Sequence, residues 1–267
     1  MTTTVNILGV EVSSLPLVEV ATDVVRWATS DGRTSPPRYV CATSVHGLVE
    51  AAHDPSFRTV LNHATRVVPD GMPLVWFGRT CGWTGMSRVY GPDLMWEVCR
   101  RTARLPVRHF LYGGAPGVPE ALATRLRAAF PGLQVAGMYS PPFRALSESE
   151  LTDVAGRINA SGADVVWVGL STPKQERWIA AVRDRLRARV LLSVGAAFDF
   201  HARRVRQAPR WMQGAGLEWL FRLSQEPRRL WRRYAYNNPV FVWLALMQLA
   251  GLKRFTNADQ AERANAA

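Results

Sequence analysis

Asp70 closes the run Val67-Val68-Pro69-Asp70, and Gly71 and an apolar segment from Met72 to Phe77 follow it. Two β-branched apolar residues read as the end of a buried strand. Pro69 cannot donate to a ladder, so the strand should stop there. Gly71 permits a tight turn. Asp70 therefore falls where a parallel strand hands over to a helix, at the edge where open α/β sheets bind ligands. A carboxylate there can act as a general base, or it can cap the following helix, since Asp is a favoured N-cap.

Other residues with chemistry to offer stand at similar junctions. Thr43 follows the apolar run Arg38 to Ala42, where position alone favours an N-cap, and His46 lies close by. Arg88 precedes a helix that Pro92 and Asp93 suit, and it can hold a phosphate or remain a solvated charge. The loop Gly113-Gly114-Ala115-Pro116-Gly117 follows Val107 to Tyr112. Its backbone N–H groups, that of Gly114 included, can approach an anion, although it is neither GxGxxG nor a P-loop. Lys174, Gln175 and Glu176 open a helix after Asp164 to Leu170, with Pro173 suited to its first turn. Lys can meet a phosphate and Gln the edge of a base; the plain alternative is a well-capped surface helix. Asp199 lies beyond Arg189 to Val194, past another strand end.

These junctions require an alternation of strands and helices. Val5 to Val12 reads as a strand or hairpin, and Leu17 to Ala28 carries helical spacing. A loop is expected over Gly32 to Pro37, and Ser147 with Glu150 forms a capping box before a further helix. Strand and helix alternate for nearly 200 residues, which argues for a doubly wound, mostly parallel α/β sheet over residues 1–200.

Beyond residue 200 the character changes. Arg222, Arg229, Arg232 and Arg233 stand three, four or seven apart, so several can share a helix face, with Trp and Leu between them. Such a basic amphipathic stretch over 201–255 suits an anionic membrane surface or a polyphosphate, or forms a solvated face. Val240 to Leu252 is almost wholly apolar but too short for a bilayer span, which needs about 20 residues. The polar tail 256–267 is expected to be disordered.

The 267 residues are 48% hydrophobic, enough for a sizeable core. Net charge is +12, from 33 Lys and Arg, nearly all Arg, against 21 acidic residues. Arg binds phosphate bidentately, so anionic partners are expected. Three cysteines without CxxC spacing argue against a zinc site or disulfide framework and fit a reducing cytoplasm. No basic n-region followed by an apolar run opens the chain, so no secretory signal is expected.

Four segments together resemble the bacterial WecG/TagA/CpsF glycosyltransferases: Val68 to Pro73, Arg88 to Leu94, Val168 to Glu176 and Gly195 to Phe200. The Arg-rich close matches too, from Arg206-Gln207-Ala208-Pro209 through Gly216-Leu217-Glu218-Trp219 to Glu226-Pro227-Arg228-Arg229-Leu230. The resemblance implies a Rossmann-like core with a membrane-associating appendage. It implies an inverting, metal-independent transfer from a UDP-sugar to a polyprenyl-diphosphate-linked sugar at the cytoplasmic face of the plasma membrane. No cofactor or nucleic acid is implied, and a homo-oligomer is compatible. The family's catalytic Asp falls on Asp70, its Thr on Thr43 and its site Arg on Arg88. Its helix-start Gln falls on Gln175, its later Asp on Asp199, and its phosphate-binding arginines on Arg222, Arg229 and Arg232. Many members carry Asn two residues after the Thr, where this chain has Val45. Val cannot make the Asn hydrogen bonds. The Val-His-Gly form resembles exopolysaccharide-type members, so N-acetylmannosamine is not implied as the donor sugar. A dehydrogenase is disfavoured by the missing GxGxxG, and a nucleic-acid module by the Trp-rich apolar run.

Overall fold

The computed structural model describes residues 3–30, 32 and 36–255. Residues 33–35 of the expected loop and the tail 256–267 lie outside these. The chain opens with β1 (Thr4–Ile7) and β2 (Val10–Ser13), then α1 (Leu17–Thr29), β3 (Arg38–Thr43), α2 (Val45–His53) and α3 (Pro55–Asn62). It continues through β4 (Arg66–Pro69), α4 (Met72–Thr80), α5 (Gly91–Thr102), β5 (Arg108–Gly113) and α6 (Val118–Ala129). Then come β6 (Gln134–Tyr139), α7 (Glu148–Ala160), β7 (Val165–Gly169), α8 (Lys174–Val182), β8 (Val190–Ser193) and α9 (Ala197–His201). The chain closes with α10 (Arg210–Gly214), α11 (Glu218–Gln225) and α12 (Pro227–Leu249). The sheet has eight strands in the order β1-β2-β4-β3-β8-β7-β5-β6 and is mostly parallel; the β1–β2 hairpin is antiparallel.

Two compact units emerge, one of residues 1–16, 43–90 and 207–267, the other of 17–42 and 91–206. The C-terminal helices thus group with the hairpin and with Thr43–Tyr90.

In the second unit, β7 and β8 are buried along their lengths apart from the half-buried Gly169, and β5 is buried but for Arg108. Strands covered on both faces read as continuous apolar runs, which is why their sequences do not alternate. Helix α1 buries Val20, Ala21, Val24, Trp27 and Ala28, a stripe at helical spacing. Ser147 and Glu150 form the expected capping box of α7. Pro173 follows a cis bond and is the N-cap of α8 rather than its first helical residue. That helix stops at Val182, and a single 3-10 turn, Arg183–Arg185, follows it.

In the first unit, α12 packs on α2 and buries Leu230, Asn237, Phe241, Leu244 and Ala245. The Arg-rich stretch and the Val240 to Leu252 run, which the sequence presents as separate segments, are joined in this helix of about 35 Å. It continues through Pro239, which is exposed. No helix among the described residues is long and apolar enough to cross a membrane.

Candidate active site

Asp70 is held by its main chain. Strand β4 ends at Pro69 as expected, and the Asp70 N–H donates to the Thr43 carbonyl at the end of β3, 2.9 Å away. The Pro69 carbonyl accepts from Val89 N–H at 2.9 Å, and the Asp70 carbonyl accepts from Arg88 Nε. The N-cap of α4 is Gly71, so the capping alternative for Asp70 does not hold. Gly71 has φ −113°, open to any residue, and an added Cβ would meet only Pro73 Cδ at 3.7 Å. Its tight-turn role is therefore not realised. Thr43 is not a cap either: it ends β3, and Ser44 occupies the N-cap position of α2 without a side-chain cap bond. The buried Thr43 hydroxyl has no hydrogen-bond partner among the described residues.

Arg88 is neither solvated nor loose. Its side chain is 14% exposed and meets Glu218 Oε2 through Nη2 at 2.5 Å. Nη1 reaches Gln213 Oε1 at 3.5 Å, and the guanidinium lies 3.8 Å from the centroid of the Tyr90 ring. The Tyr90 hydroxyl donates to Glu218 Oε1 at 2.7 Å. Burial works to lower the Arg88 pKa, but the charges of Asp70 and Glu218 outweigh it and the net shift is upward. Glu218 reaches this position because Gly216 turns the chain between α10 and α11 at φ +70°. A Cβ there would stand 2.5 Å from the Trp76 ring. Glu218, Tyr90 and Gln213 are site residues that spacing along the chain did not reveal; the Gly-Leu-Glu-Trp segment was the available signal.

The C-terminal arginines separate. Arg233, half-buried on α12, feels Asp70, Arg222, Arg229 and Tyr234 together. Burial is the largest cause of its lowered pKa, and the cations Arg222 and Arg229 push the same way against Tyr234 and Asp70. Like charges gathered at a poorly solvated arginine are favourable only with an anion to offset them. Arg229 is also paired with Glu226. Arg232 does not join this cluster; it is exposed and lies 5.4 Å from the centroid of the Trp231 ring. At about 100° per residue, Arg232 points about 200° away from the buried Leu230, whereas Arg229 and Arg233 flank the buried face. Of the four arginines expected to share a face in part, Arg222, Arg229 and Arg233 are electrostatically coupled, whereas Arg232 stands on the exposed side of α12.

The second unit holds the remaining candidates. Gln175 is 1% exposed and Glu176 fully buried, so α8 does not begin as a surface helix. Gln175 Nε2 donates to Glu176 Oε1 at 2.8 Å, and Gln175 Oε1 accepts from Gly195 N–H at 3.0 Å. Both ends of the amide are therefore engaged internally. Thr172 and Ser193 hydroxyls also donate to Glu176 Oε1, at 3.2 and 3.3 Å. Gly114 N–H donates to the Gly169 carbonyl at 2.9 Å, so that group is not open to an anion. Its neighbour Gly113 has φ +122°, and a Cβ there would come within 2.6 Å of Gly169; close packing requires the Gly-rich sequence. Lys174 is exposed, with Nζ 4.2 Å from the centroid of the exposed Phe143 ring. Asp199 is half-buried within α9. Among the described residues no group of three or more His, Cys, Asp or Glu is placed to hold a metal ion.

The sequence model of the glycosyl transferase WecG/TagA/CpsF family matches residues 5–255. The chain is 33% identical over 184 residues to an N-acetylglucosaminyldiphosphoundecaprenol N-acetyl-beta-D-mannosaminyltransferase of Bacillus spizizenii, covering 69% of each protein. It is 31% identical over 183 residues to a protein of the same name from Bacillus subtilis, covering 68% of this chain and 69% of that one.

Proposed function

The chain belongs to the WecG/TagA/CpsF glycosyltransferase family, and on that premise we propose that it is an inverting transferase moving a hexosyl or N-acetylhexosaminyl group from a UDP-sugar to a sugar on a polyprenyl diphosphate. The names of the two relatives, which carry a diphosphoundecaprenol-linked sugar, support the acceptor class. The reading is supported by the electrostatic coupling of the half-buried Arg233 to the charges of Arg222, Arg229 and Asp70, and by the hold of the Asp70 main chain between Thr43 and Arg88.

Asp70 takes the proton of the acceptor hydroxyl. The hydroxyl oxygen bonds to the anomeric carbon on the face opposite the UDP. The bond from that carbon to the diphosphate oxygen breaks, and UDP leaves with the electron pair. Charge then grows on the departing diphosphate, where fixed cations are worth most; Arg222, Arg229 and Arg233 supply them, and no metal is required. Thr43 holds the Asp70 main chain. Val45 leaves the donor sugar open. The exposed side chains of Trp231, Val242, Leu246 and Leu249 follow one side of α12, beside Arg232, and suit peripheral docking on the anionic inner face of the plasma membrane.

A screen of UDP-sugars for transfer or hydrolysis, with and without EDTA, tests the reading. Asp70→Asn keeps the shape and removes the base, so kcat should fall by about 10² or more. An unchanged rate removes Asp70 from that role, and loss of turnover in EDTA removes the metal-free mechanism.

A further inference from the structure

The ring of Tyr234 stands edge-on to that of Trp219, with centroids 5.8 Å apart and planes at 61°. This contact joins α12 to α11, and a phenylalanine ring would make it as well. The hydroxyl has other surroundings. Tyr234 is half-buried, and the charges of Arg222, Arg233 and Arg229 act on its phenol, with Glu218 opposing them. Burial raises the phenol pKa, and the three arginines offset this only in part. The group is therefore a neutral proton donor at neutral pH.

A guanidinium donates hydrogen bonds and cannot accept them, whereas a phenol does both. The arginines can thus satisfy the Tyr234 oxygen but not its proton. Glu218, the carboxylate acting on Tyr234, has Oε2 on Arg88 and Oε1 on Tyr90. The Tyr234 hydroxyl makes no hydrogen bond among the described residues. One residue earlier on α12, Arg233 Nε is buried and has no hydrogen-bond partner among them either. Two unspent donors side by side, bordered by two further arginines, require acceptor oxygens from outside the chain.

We propose that Tyr234 is a further binding residue for the diphosphate that Arg222, Arg229 and Arg233 hold: its hydroxyl donates to a phosphoryl oxygen beside Arg233. The proposal rests on the reading of those arginines as the diphosphate site. A neutral donor adds a contact without adding to the repulsion among three cations. As the bond to the anomeric carbon breaks, charge grows on the phosphoryl oxygens and the hydrogen bond strengthens.

The test is calorimetric binding of UDP to the full chain, beside uridine, which keeps the base and ribose and lacks the phosphates. Tyr234→Phe keeps the ring on Trp219 and removes the donor. It should weaken UDP about tenfold and change uridine, read by its displacement of UDP, less than about twofold. Tyr236→Phe is the matched control on the same helix: Tyr236 is 57% exposed, and UDP binding should stay within about twofold. Unchanged UDP affinity in Tyr234→Phe overturns the proposal. So does an equal loss for uridine, which would mark a packing role. Should Tyr234→Phe fail to fold, Tyr234→3-fluorotyrosine gives a second reading: its fluorine resonance should shift with UDP and not with uridine, and no shift with UDP overturns the proposal. Arg233→Met separates the two readings. Undiminished UDP binding there overturns the arginine site itself. Weakened binding there, with undiminished binding in Tyr234→Phe, overturns only the role of Tyr234.

Discussion

Gln248, in the last turn of α12, accepts a 2.9 Å hydrogen bond from the main-chain N–H of Leu8 and donates one of 2.9 Å to the carbonyl of Asn6. Leu8 turns the β1–β2 hairpin at φ +52° and is fully buried. A buried N–H must find a partner in the protein, and here a side chain 240 residues away supplies it. The hairpin and the C-terminal helix that carries Arg233 are thereby tied within one unit.

Gln248→Ala should cost about 1–3 kcal/mol, because it strands a buried N–H and removes the donor to Asn6. Gln248→Glu should be at least as harmful, since a carboxylate oxygen would then face the Asn6 carbonyl. Urea unfolding measures the loss, and amide exchange at Leu8 locates it. A midpoint equal to wild type would show that α12 is seated by its apolar face alone.

Arg233 and Arg232 are adjacent in sequence but differ in surroundings, so their substitutions should separate. A charge-assisted contact to a diphosphate is worth about 1.5–3 kcal/mol, and Arg233→Met should lower kcat/KM by about 10–100-fold. Arg232→Met should change it less than about threefold on a water-soluble acceptor. The reverse ranking would restore Arg232 as the phosphate ligand and dismiss Arg233.

Much of the frame was legible because parallel strands announce themselves. Continuous apolar runs such as Val165 to Val168 have nowhere to go but between two covering layers. Asp70 was placed at a strand end because Pro69 must stop the ladder. Contacts made at long range were not legible: nothing local in Glu218 says that Arg88 waits 130 residues upstream. The choice between Arg232 and Arg233 depends on helical phase, and phase is set by which residues bury. In α12 the buried stripe includes the polar Asn237, whose amide donates to the Arg233 carbonyl, so hydropathy alone blurs it. The surface-helix alternative at Gln175 stayed open for a related reason: its partner is the main chain of Gly195, invisible to side-chain patterning.

Glu176 makes stability depend on pH. Burial raises its pKa, and the hydrogen bonds from Gln175, Thr172 and Ser193 offset this only in part. The folded chain therefore holds this proton to higher pH than the unfolded chain does. Stability from this group is fully present below the ordinary glutamate value of about 4.5 and is lost as pH rises through the raised one. Glu176→Gln can still accept at Oε1 but carries no titrating proton. The wild-type unfolding midpoint should fall relative to that of Glu176→Gln as pH increases from 4.5. Parallel midpoints across that range would mean that the Glu176 pKa is the same in both states.

The outward side of α12 gives a prediction that separates membrane docking from catalysis. Trp243 and Leu246 are 63% and 57% exposed, so replacing them with Glu removes little packing in solution. Stability should change by less than about 0.5 kcal/mol for each. On a bilayer each apolar side chain is worth about 1.5–3 kcal/mol when buried, and a new carboxylate is repelled by anionic lipid. The double variant should therefore lose at least about tenfold in affinity for anionic vesicles, measured by co-sedimentation, while turnover on a water-soluble acceptor stays within about twofold. Since Arg232 lies on the same side, wild-type binding should also weaken with salt. Undiminished vesicle binding by the double variant would mean that a different surface meets the lipid, and the exposed apolar stripe would then need another explanation.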